Sequence, residues 1–510
     1  LLDGVTGSGK TEVYLHLIEK VLSDGRQALV LVPEIGLTPQ LLRRFRKRLG
    51  LEPAIIHSGL SAGERLESWA AARAGRAALL VGTRSALFTP MPRLGLIILD
   101  EEHDASFKQQ DGFRYSARDI AVKRASELDI PIVLGSATPS LESLQNATSG
   151  RYRHHHLTRR AGDAAMPEIK AIDVRGQALQ GGLSDSLRAS VASALDAGSQ
   201  VLLFLNRRGY ATALQCHDCG WVADCRACDA RLTVHRRQRR LRCHHCGASE
   251  TLPTQCPGCR SARLLTNGLG TEQAEDALRR EFTRWPIHRV DSDSMQGRGA
   301  MAALAETVGT GEPCILVGTQ MLSKGHHFPG VQLVGVLDAD ALLFSADFRG
   351  EERMAQLLTQ VAGRAGREQR RGSVLLQTHH PDHPALQAML TQTYGQRARA
   401  MLEERRQSGL PPAGHLVLIR CDSADASAAE GFLQQLRRRC ADASRAITVI
   451  GPLPSALPRR AGKFRFQLTL LAASRGAVHR ATAHMVAAAG QLKARGDLRW
   501  SVDVDPSEVM

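Results

Sequence analysis

The chain has 510 residues, 43% of them hydrophobic, with 66 Lys and Arg against 51 Asp and Glu for a formal charge of +15. That length and apolar content exclude a disordered chain and allow several domains with full cores, and no apolar run approaches the ~20 residues that cross a bilayer. The positive surplus suits a polyanion such as nucleic acid, although the abundance of Arg and Ala also fits a GC-rich coding bias.

Leu1-Leu2-Asp3 leads into Gly4-Val5-Thr6-Gly7-Ser8-Gly9-Lys10-Thr11, the G-x-x-x-x-G-K-[ST] pattern of a phosphate-binding loop. Its backbone N–H groups wrap the phosphates, Lys10 reaches the outer two, the Thr11 hydroxyl takes Mg²⁺, and the helix starting near Thr11 adds its dipole. The first residue is Leu rather than Met and no leader pattern precedes the loop, so the sequence reads as a fragment beginning inside a domain.

Further apolar runs each end in a small or polar cluster. QALVLV precedes Pro33-Glu34, AALLV precedes Gly82-Thr83-Arg84-Ser85, LGLIIL precedes Asp100-Glu101-Glu102-His103, and IPIVL precedes Gly135-Ser136-Ala137-Thr138. Helical patterns lie between them, which predicts a parallel sheet covered on both faces, with functional residues at the carboxyl ends of the strands. Asp100 is suited to hold Mg²⁺ and Glu101 to orient or deprotonate the attacking water, so this lobe is expected to bind and hydrolyse a nucleoside triphosphate.

Directly after the acidic box, Phe107, Lys108, Phe113, Arg114 and Tyr115 cluster in a chain only 4% aromatic. The rings would stack on bases and sense DNA, or pack against the other lobe; the two readings stand level, and similar loops in RecQ-like DNA helicases favour DNA. Thr83, Arg84, Thr319 and Gln320 sit at strand ends suited to phosphate contacts on a single strand.

Residues 150–168 read as a connection, after which SQVLLFL, PCILV, VQLVGVL and RGSVLLQT predict the strands of a second lobe. There QVAGRAGR (360–367) offers Arg364 and Arg367 as arginine fingers for the γ-phosphate, with Gln360 facing the nucleotide or the water. Eight of the eleven cysteines form four C-x-x-C pairs, which in a chain without a leader points to metal rather than disulfides. A ribbon-like spacing puts Cys225, Cys228, Cys243 and Cys246 on one Zn²⁺ and Cys216, Cys219, Cys256 and Cys259 on a second, a nested arrangement; sequential pairing is the tighter alternative. His217, His244 and His245 could compete as ligands, but eight cysteines already fill two sites; HRRQRRLR (235–242) is a basic tip suited to a DNA branch or a partner, or simply solvated. Beyond Pro411-Pro412 the pattern predicts a β-α-β-β-α-β domain, whose PRRAGKFRF (458–466) is a lesser DNA candidate and equally reads as an ordinary amphipathic strand.

The expected fold is α/β: two RecA-like parallel-sheet lobes (1–160 and 161–411), a two-zinc insert at 214–262 in the second, and a small α+β domain at 412–510. The phosphate loop (4–11), LVPEIGLTPQ (31–40), GTRSALFTP (82–90), DEEH (100–103), GSATPS (135–140), FLNRRGY (204–210), VGTQMLSKGHHFPGV (317–331) and QVAGRAGR (360–367) together resemble a superfamily-two helicase. With DEEHDASFKQQDGFRYSARD, the cysteine series and VDVDP near the end, the whole chain resembles the PriA family of replication restart helicases, or primosomal protein N′.

That resemblance implies ATP-dependent 3′→5′ unwinding of single-stranded and forked DNA at stalled forks and D-loops. It implies assembly of a primosome that reloads the replicative helicase through a helicase-loader protein, contact with single-stranded-DNA-binding protein, and a cytoplasmic, nucleoid-associated bacterial setting. It implies two Zn²⁺ in nested pairs, and an N-terminal DNA-binding region ahead of the motor. An RNA helicase would share the motor, but the DEEH box and the long cysteine insert are unusual for that class. A scaffold with a vestigial motor is the other rival, and intact Lys10, Thr11, Asp100, Glu101 and Arg367 argue against it.

Overall fold

The computed structural model describes residues 1–33, 39–160, 167–205, 213–228, 231–235, 239–243, 246–265, 271–291, 294–295, 300–319, 322, 328, 330–345, 347–366, 372–440, 446–492 and 496–509. Seven parallel strands form the first sheet: β1 (Leu2–Gly4), β2 (Gln27–Leu31), β3 (Ala54–Ile56), β4 (Leu79–Gly82), β5 (Leu94–Asp100), β6 (Ile132–Ser136) and β7 (His155–Leu157). Their order is β3-β4-β2-β5-β6-β1-β7. Every residue of β2 and β4 is buried, as a sheet with both faces covered requires. Leu29, Leu31, Leu80, Ile97 and Leu99 fill one layer, and Ala28, Val30, Leu79, Val81, Leu96 and Ile98 the other.

The short β1 is internal to this sheet. Leu2 pairs with Gly135 on one side and His155 on the other. Where the sequence suggests a plain connection over 150–168, the structure therefore has an edge strand at His155–Leu157. Three consecutive histidines carry no apolar signal, so hydrophobic patterning misses it. The strand matters to the site, because Val5 N–H donates to the Leu157 carbonyl at 3.1 Å.

The second lobe opens with β8 (Glu168–Asp173) and β9 (Gln200–Phe204). The chain then enters the cysteine-rich insert, with β10 (Gln215–Cys216), β11 (Leu232–His235), β12 (Arg240–Cys243), β13 (Ser249–Thr251) and β14 (Leu264–Leu265). It returns through β15 (Ile287–Val290), β16 (Ile315–Gly318), β17 (Val331–Val336) and β18 (Ser373–Thr378), giving the parallel order β15-β16-β9-β17-β18-β8. Numbered within its own lobe, that order is 3-4-2-5-6-1, the same as the first six strands of the other sheet. One topology is used twice.

The match extends to single residues. A Cβ on Gly82, which ends β4, would stand 2.5 Å from the Ile56 carbonyl oxygen; one on Gly318, which ends β16, would stand 2.1 Å from that of Val290. The next residue in each case donates its N–H to that same carbonyl, Thr83 at 3.0 Å and Thr319 at 3.2 Å. Both glycines are required by the close approach of a neighbouring strand.

The last sheet is antiparallel, with β19 (His415–Ser423), β20 (Thr448–Arg460), β21 (Lys463–Ala472) and β22 (Arg499–Val504) in the order β20-β21-β19-β22. Helices Ala426–Cys440 and Arg475–Gln491 cover one face through Phe432, Leu433, Leu436, Val478 and Met485, which pack on Val417, Ile419, Leu468 and Leu470. Among the described residues no helix is long and apolar enough to cross a membrane.

Candidate active site and metal centres

Gly7 and Gly9 sit at φ 82° and 87°, a region that strains any L side chain. The Ser8 N–H closes the turn on the Val5 carbonyl at 2.9 Å, and the helix Lys10–Ser23 starts at once, its Glu12 N–H donating to the Gly9 carbonyl at 2.9 Å. Residues 4–11 thus end on a helix N-terminus, where free N–H groups and the dipole favour an anion. Lys10 Nζ folds back to donate to the Gly4 carbonyl at 2.8 Å. Ser8 Oγ is shielded from solvent and makes no hydrogen bond, a donor set that fits a phosphate oxygen.

Strand β5 delivers Asp100 beside this loop. Tyr14, fully buried on the first helix, donates its hydroxyl to Asp100 Oδ1 at 2.9 Å. Gly135 makes the room: a Cβ there would stand 1.7 Å from the Tyr14 hydroxyl oxygen. Sequence reasoning missed this pair, since a glycine and a tyrosine 121 positions apart reveal their contact only once β1 and β6 are neighbours. Burial and the adjacent Glu101 push Asp100 up to about 6, with Lys10 and the Tyr14 hydrogen bond pulling the other way. A bound divalent cation favours the ionised carboxylate, so the donor set suits Mg²⁺ held with Thr11. Glu101 follows at φ 49° with Oε2 shielded and making no hydrogen bond.

Glu102 turns inward and fastens the box to the next motif. It accepts from the Ser140 N–H at 2.7 Å, Ser140 Oγ at 3.0 Å, Ser143 Oγ at 2.8 Å and Arg118 at 3.3 Å. His103 meets Ser136 Oγ through Nδ1 at 2.7 Å. Its Nε2 meets the Gln360 amide, from the second lobe, at 2.5 Å. Gln360 therefore engages the box histidine, where the sequence suggested that it faces the nucleotide or water.

The second lobe also touches the phosphate loop. A Cβ on Gly363 would lie 2.7 Å from both Cβ and Oγ1 of Thr6. Arg364 is the next residue, so a predicted finger is carried on the segment that meets the loop; Arg367 and Gln320 lie outside the described residues. Around this seam Glu352 accepts the Leu141 N–H at 3.1 Å, Arg349 pairs with Glu142 at 2.7 Å, and Tyr394 donates to the Pro139 carbonyl at 2.5 Å. The Arg349 and Arg118 charges hold Glu142 down at about 2 despite its burial.

The aromatic loop divides in two. Phe107 is buried in the first lobe's core, so it packs instead of stacking on bases. Lys108 is likewise withdrawn from DNA: its Nζ donates to the carbonyls of Arg114 at 2.9 Å and Val504 at 2.6 Å and pairs with Asp503 at 3.0 Å, docking the loop on the C-terminal sheet. Arg84 spends one guanidinium nitrogen on the Ser106 and Lys108 carbonyls at 2.8 and 3.0 Å, which braces the loop. Thr83 and Thr319 stand at equivalent strand ends, as described above. Phe113 is 78% exposed and stacks on Tyr115 at 5.8 Å, and Tyr115 meets the exposed Phe88 edge-on at 4.9 Å. Arg114 braces the turn by donating to the Gln110 carbonyl at 2.7 Å. Phe88 was not foreseen, although it lies in the GTRSALFTP segment already singled out. In the C-terminal sheet, Lys463 and Arg465 are paired with Asp497 and Asp422 at 2.9 and 3.3 Å, which fits an ordinary strand.

In the insert, Cys216, Cys219, Cys256 and Cys259 converge, as do Cys225, Cys228, Cys243 and Cys246, each set with all sulfurs within 4.8 Å of one another. Cross-pair sulfurs are 3.5–3.6 Å apart, against edges of about 3.8 Å for four thiolates at about 2.3 Å from a tetrahedral zinc. The two nested clusters fit two zinc ions. His217 is occupied elsewhere, with Nδ1 on His379 at 2.9 Å and Nε2 on the Gln177 carbonyl at 2.8 Å; His244 and His245 lie outside the described residues.

Comparison with known proteins agrees with this anatomy. The DEAD/DEAH box helicase model matches residues 1–147, the PriA DNA helicase Cys-rich region domain matches 225–250, and the Primosomal protein N C-terminal domain matches 406–507. Replication restart protein PriA of Haemophilus influenzae is 48% identical over 514 residues, covering 100% of this chain and 70% of that protein. The chain belongs to the PriA replication restart helicase family. PriA of Treponema pallidum is 37% identical over 99% of this chain and 76% of its own, and PriA of Bacillus subtilis 42% over 92% and 59%. The chain thus spans 59–76% of the length of these three PriA relatives. Among solved structures, RecG bound to a three-way DNA junction is similar at 15% identity and a TM-score of 0.45, over 78% of this chain and 43% of that one.

Proposed function

We propose that the chain is an ATP-driven motor that unwinds DNA 3′→5′ at stalled forks and D-loops and assembles a primosome that reloads the replicative helicase. The observation supporting this reading is the seat of Gly363 on Thr6, which puts the arginine-bearing segment of one lobe on the phosphate loop of the other. Lys10 and the N–H groups of residues 4–11 bind the phosphates, and Thr11 with Asp100 holds Mg²⁺. Bound Mg²⁺ supplies positive charge against that developing on the transferred phosphoryl group. Glu101 orients and deprotonates the attacking water, Arg364 and Arg367 neutralise charge in the transition state, and Gln360 acts through His103. Hydrolysis is then tied to closing and opening of the cleft, and the strand moves along Thr83, Thr319 and Gln320 with bases passing the Phe113–Tyr115 platform. The working units are lobes 1–160 and 161–411, the zinc insert 214–262 and the domain 412–510. Single-stranded-DNA-binding protein and a helicase loader are the protein partners, in the bacterial cytoplasm at the nucleoid.

Unwinding of forks carrying only a 3′ or only a 5′ single-stranded arm tests polarity, alongside ATP turnover stimulated by single-stranded DNA or RNA. The 3′ arm and DNA should be preferred. Equal stimulation by RNA, or unwinding only from the 5′ arm, would overturn the reading.

A further inference from the structure

Beneath the phosphate loop, β1 and β7 run parallel with Asp3 directly opposite His156. His154 lies two residues earlier and projects to the same face, its ring centroid 3.8 Å from that of His156. His154 Nε2 and His156 Nδ1 stand 3.5 and 3.3 Å from one and the same oxygen, Asp3 Oδ2. The three ligand atoms lie within 4.8 Å of one another. Both separations are longer than an ordinary N–H···O bond: each is a long histidine–carboxylate pair, and His154 Nε2 is shielded from solvent. They do fit a shared ion: two ligand atoms each about 2.1 Å from a tetrahedral metal stand about 3.4 Å apart.

We propose that Asp3, His154 and His156 form a third metal site, for a divalent transition-metal ion such as Zn²⁺, separate from the two cysteine clusters. Two imidazoles and one carboxylate suit Zn²⁺, whereas Mg²⁺ and Ca²⁺ favour oxygen ligands throughout. Three protein donors leave the fourth tetrahedral position open to water, unlike the two cysteine clusters, whose four thiolates fill it. Its place gives it a consequence. Asp3 immediately precedes Gly4, and the Leu157 carbonyl just past His156 accepts the Val5 N–H. An ion here ties the edge strand to the base of the phosphate loop.

Stoichiometry separates this site from the cysteine clusters. The chain with both clusters loaded, its zinc content fixed beforehand by elemental analysis, is titrated with Zn²⁺ alone by calorimetry, and thermal unfolding is followed in parallel. A third equivalent should bind and raise the unfolding temperature. His156→Gln, at a half-exposed position that carries little of the fold, and His154→Gln should each lose the third equivalent and that rise while keeping two zinc ions. Absence of a third equivalent in the parent chain, or its persistence in both variants, overturns the proposal.

Discussion

Across the cleft between the two lobes, the Gln360 amide donates to His103 Nε2 at 2.5 Å. The pattern is satisfied by the ring carrying its proton on Nδ1, where Ser136 Oγ accepts at 2.7 Å. Ser136 belongs to GSATPS, so a single imidazole joins the acidic box, that motif and the second lobe. Gln360→Ala and His103→Ala should each lower ATP turnover, and the double variant should do no worse than the poorer single one, because groups acting as one unit are non-additive. Additive losses in steady-state kinetics would put the two residues in separate roles.

Gly363→Ala probes the same seam from its other end. The added Cβ would sit 2.7 Å from Thr6, so the lobes must separate or the loop must shift. A displacement on the order of 1 Å at a catalytic group costs about 10²-fold in rate. Turnover should fall by about that factor while binding of a non-hydrolysable nucleotide to the first lobe changes little, as read by kinetics beside equilibrium titration.

How far the sequence anticipated this arrangement depends on what kind of signal each residue leaves. Strand ends were readable because a parallel sheet turns buried runs into abrupt apolar-to-polar boundaries; that is how Asp100, Glu101 and the phosphate loop stand out. Paired cysteines were readable from chemistry, and the β-α-β-β-α-β order from ordinary periodicity. β7 was not, since His155 and His156 look polar on paper. Stacking and packing could not be separated for Phe107, and the partner of Lys108 could not be named, because composition cannot tell a ring facing solvent from one facing a core, or a lysine on DNA from one bound to Asp503. Tyr14, Gly135 and Phe88 matter only through partners distant in the chain.

The two fates of the aromatic loop predict two kinds of variant. Phe113→Ala should weaken single-stranded DNA binding by about 1–3 kcal/mol, the range for a lost base-stacking ring, without lowering thermal stability. Phe107→Ala should lower the unfolding temperature, because a buried Phe→Ala change costs about 3–5 kcal/mol. Fluorescence anisotropy with a labelled oligonucleotide and thermal unfolding distinguish them. The reverse pattern would mean that the exposed ring has no part in DNA binding.

Asp100 makes stability depend on pH in a defined direction. Its folded value is raised to about 6, above the ~3.9 of an unfolded carboxyl. The native state thus holds a proton that the unfolded chain has released, and metal-free stability falls as pH rises from about 4 to about 6. Asp338, also raised to about 6 by burial and Asp340, acts in the same sense and cancels in a comparison between variants. Asp100→Asn should therefore be more stable than the parent above pH 6, with the gain shrinking toward pH 4, while hydrolysis is lost. Thermal unfolding across pH 4–8 without divalent metal checks this.

The most direct test of a motor that fires only when its lobes meet is DNA-stimulated ATP turnover by Arg364→Ala. An arginine finger is worth about 10³-fold or more in rate, so turnover should collapse by about that factor with nucleotide affinity and zinc content preserved. Undiminished turnover in the variant would contradict catalysis across the cleft.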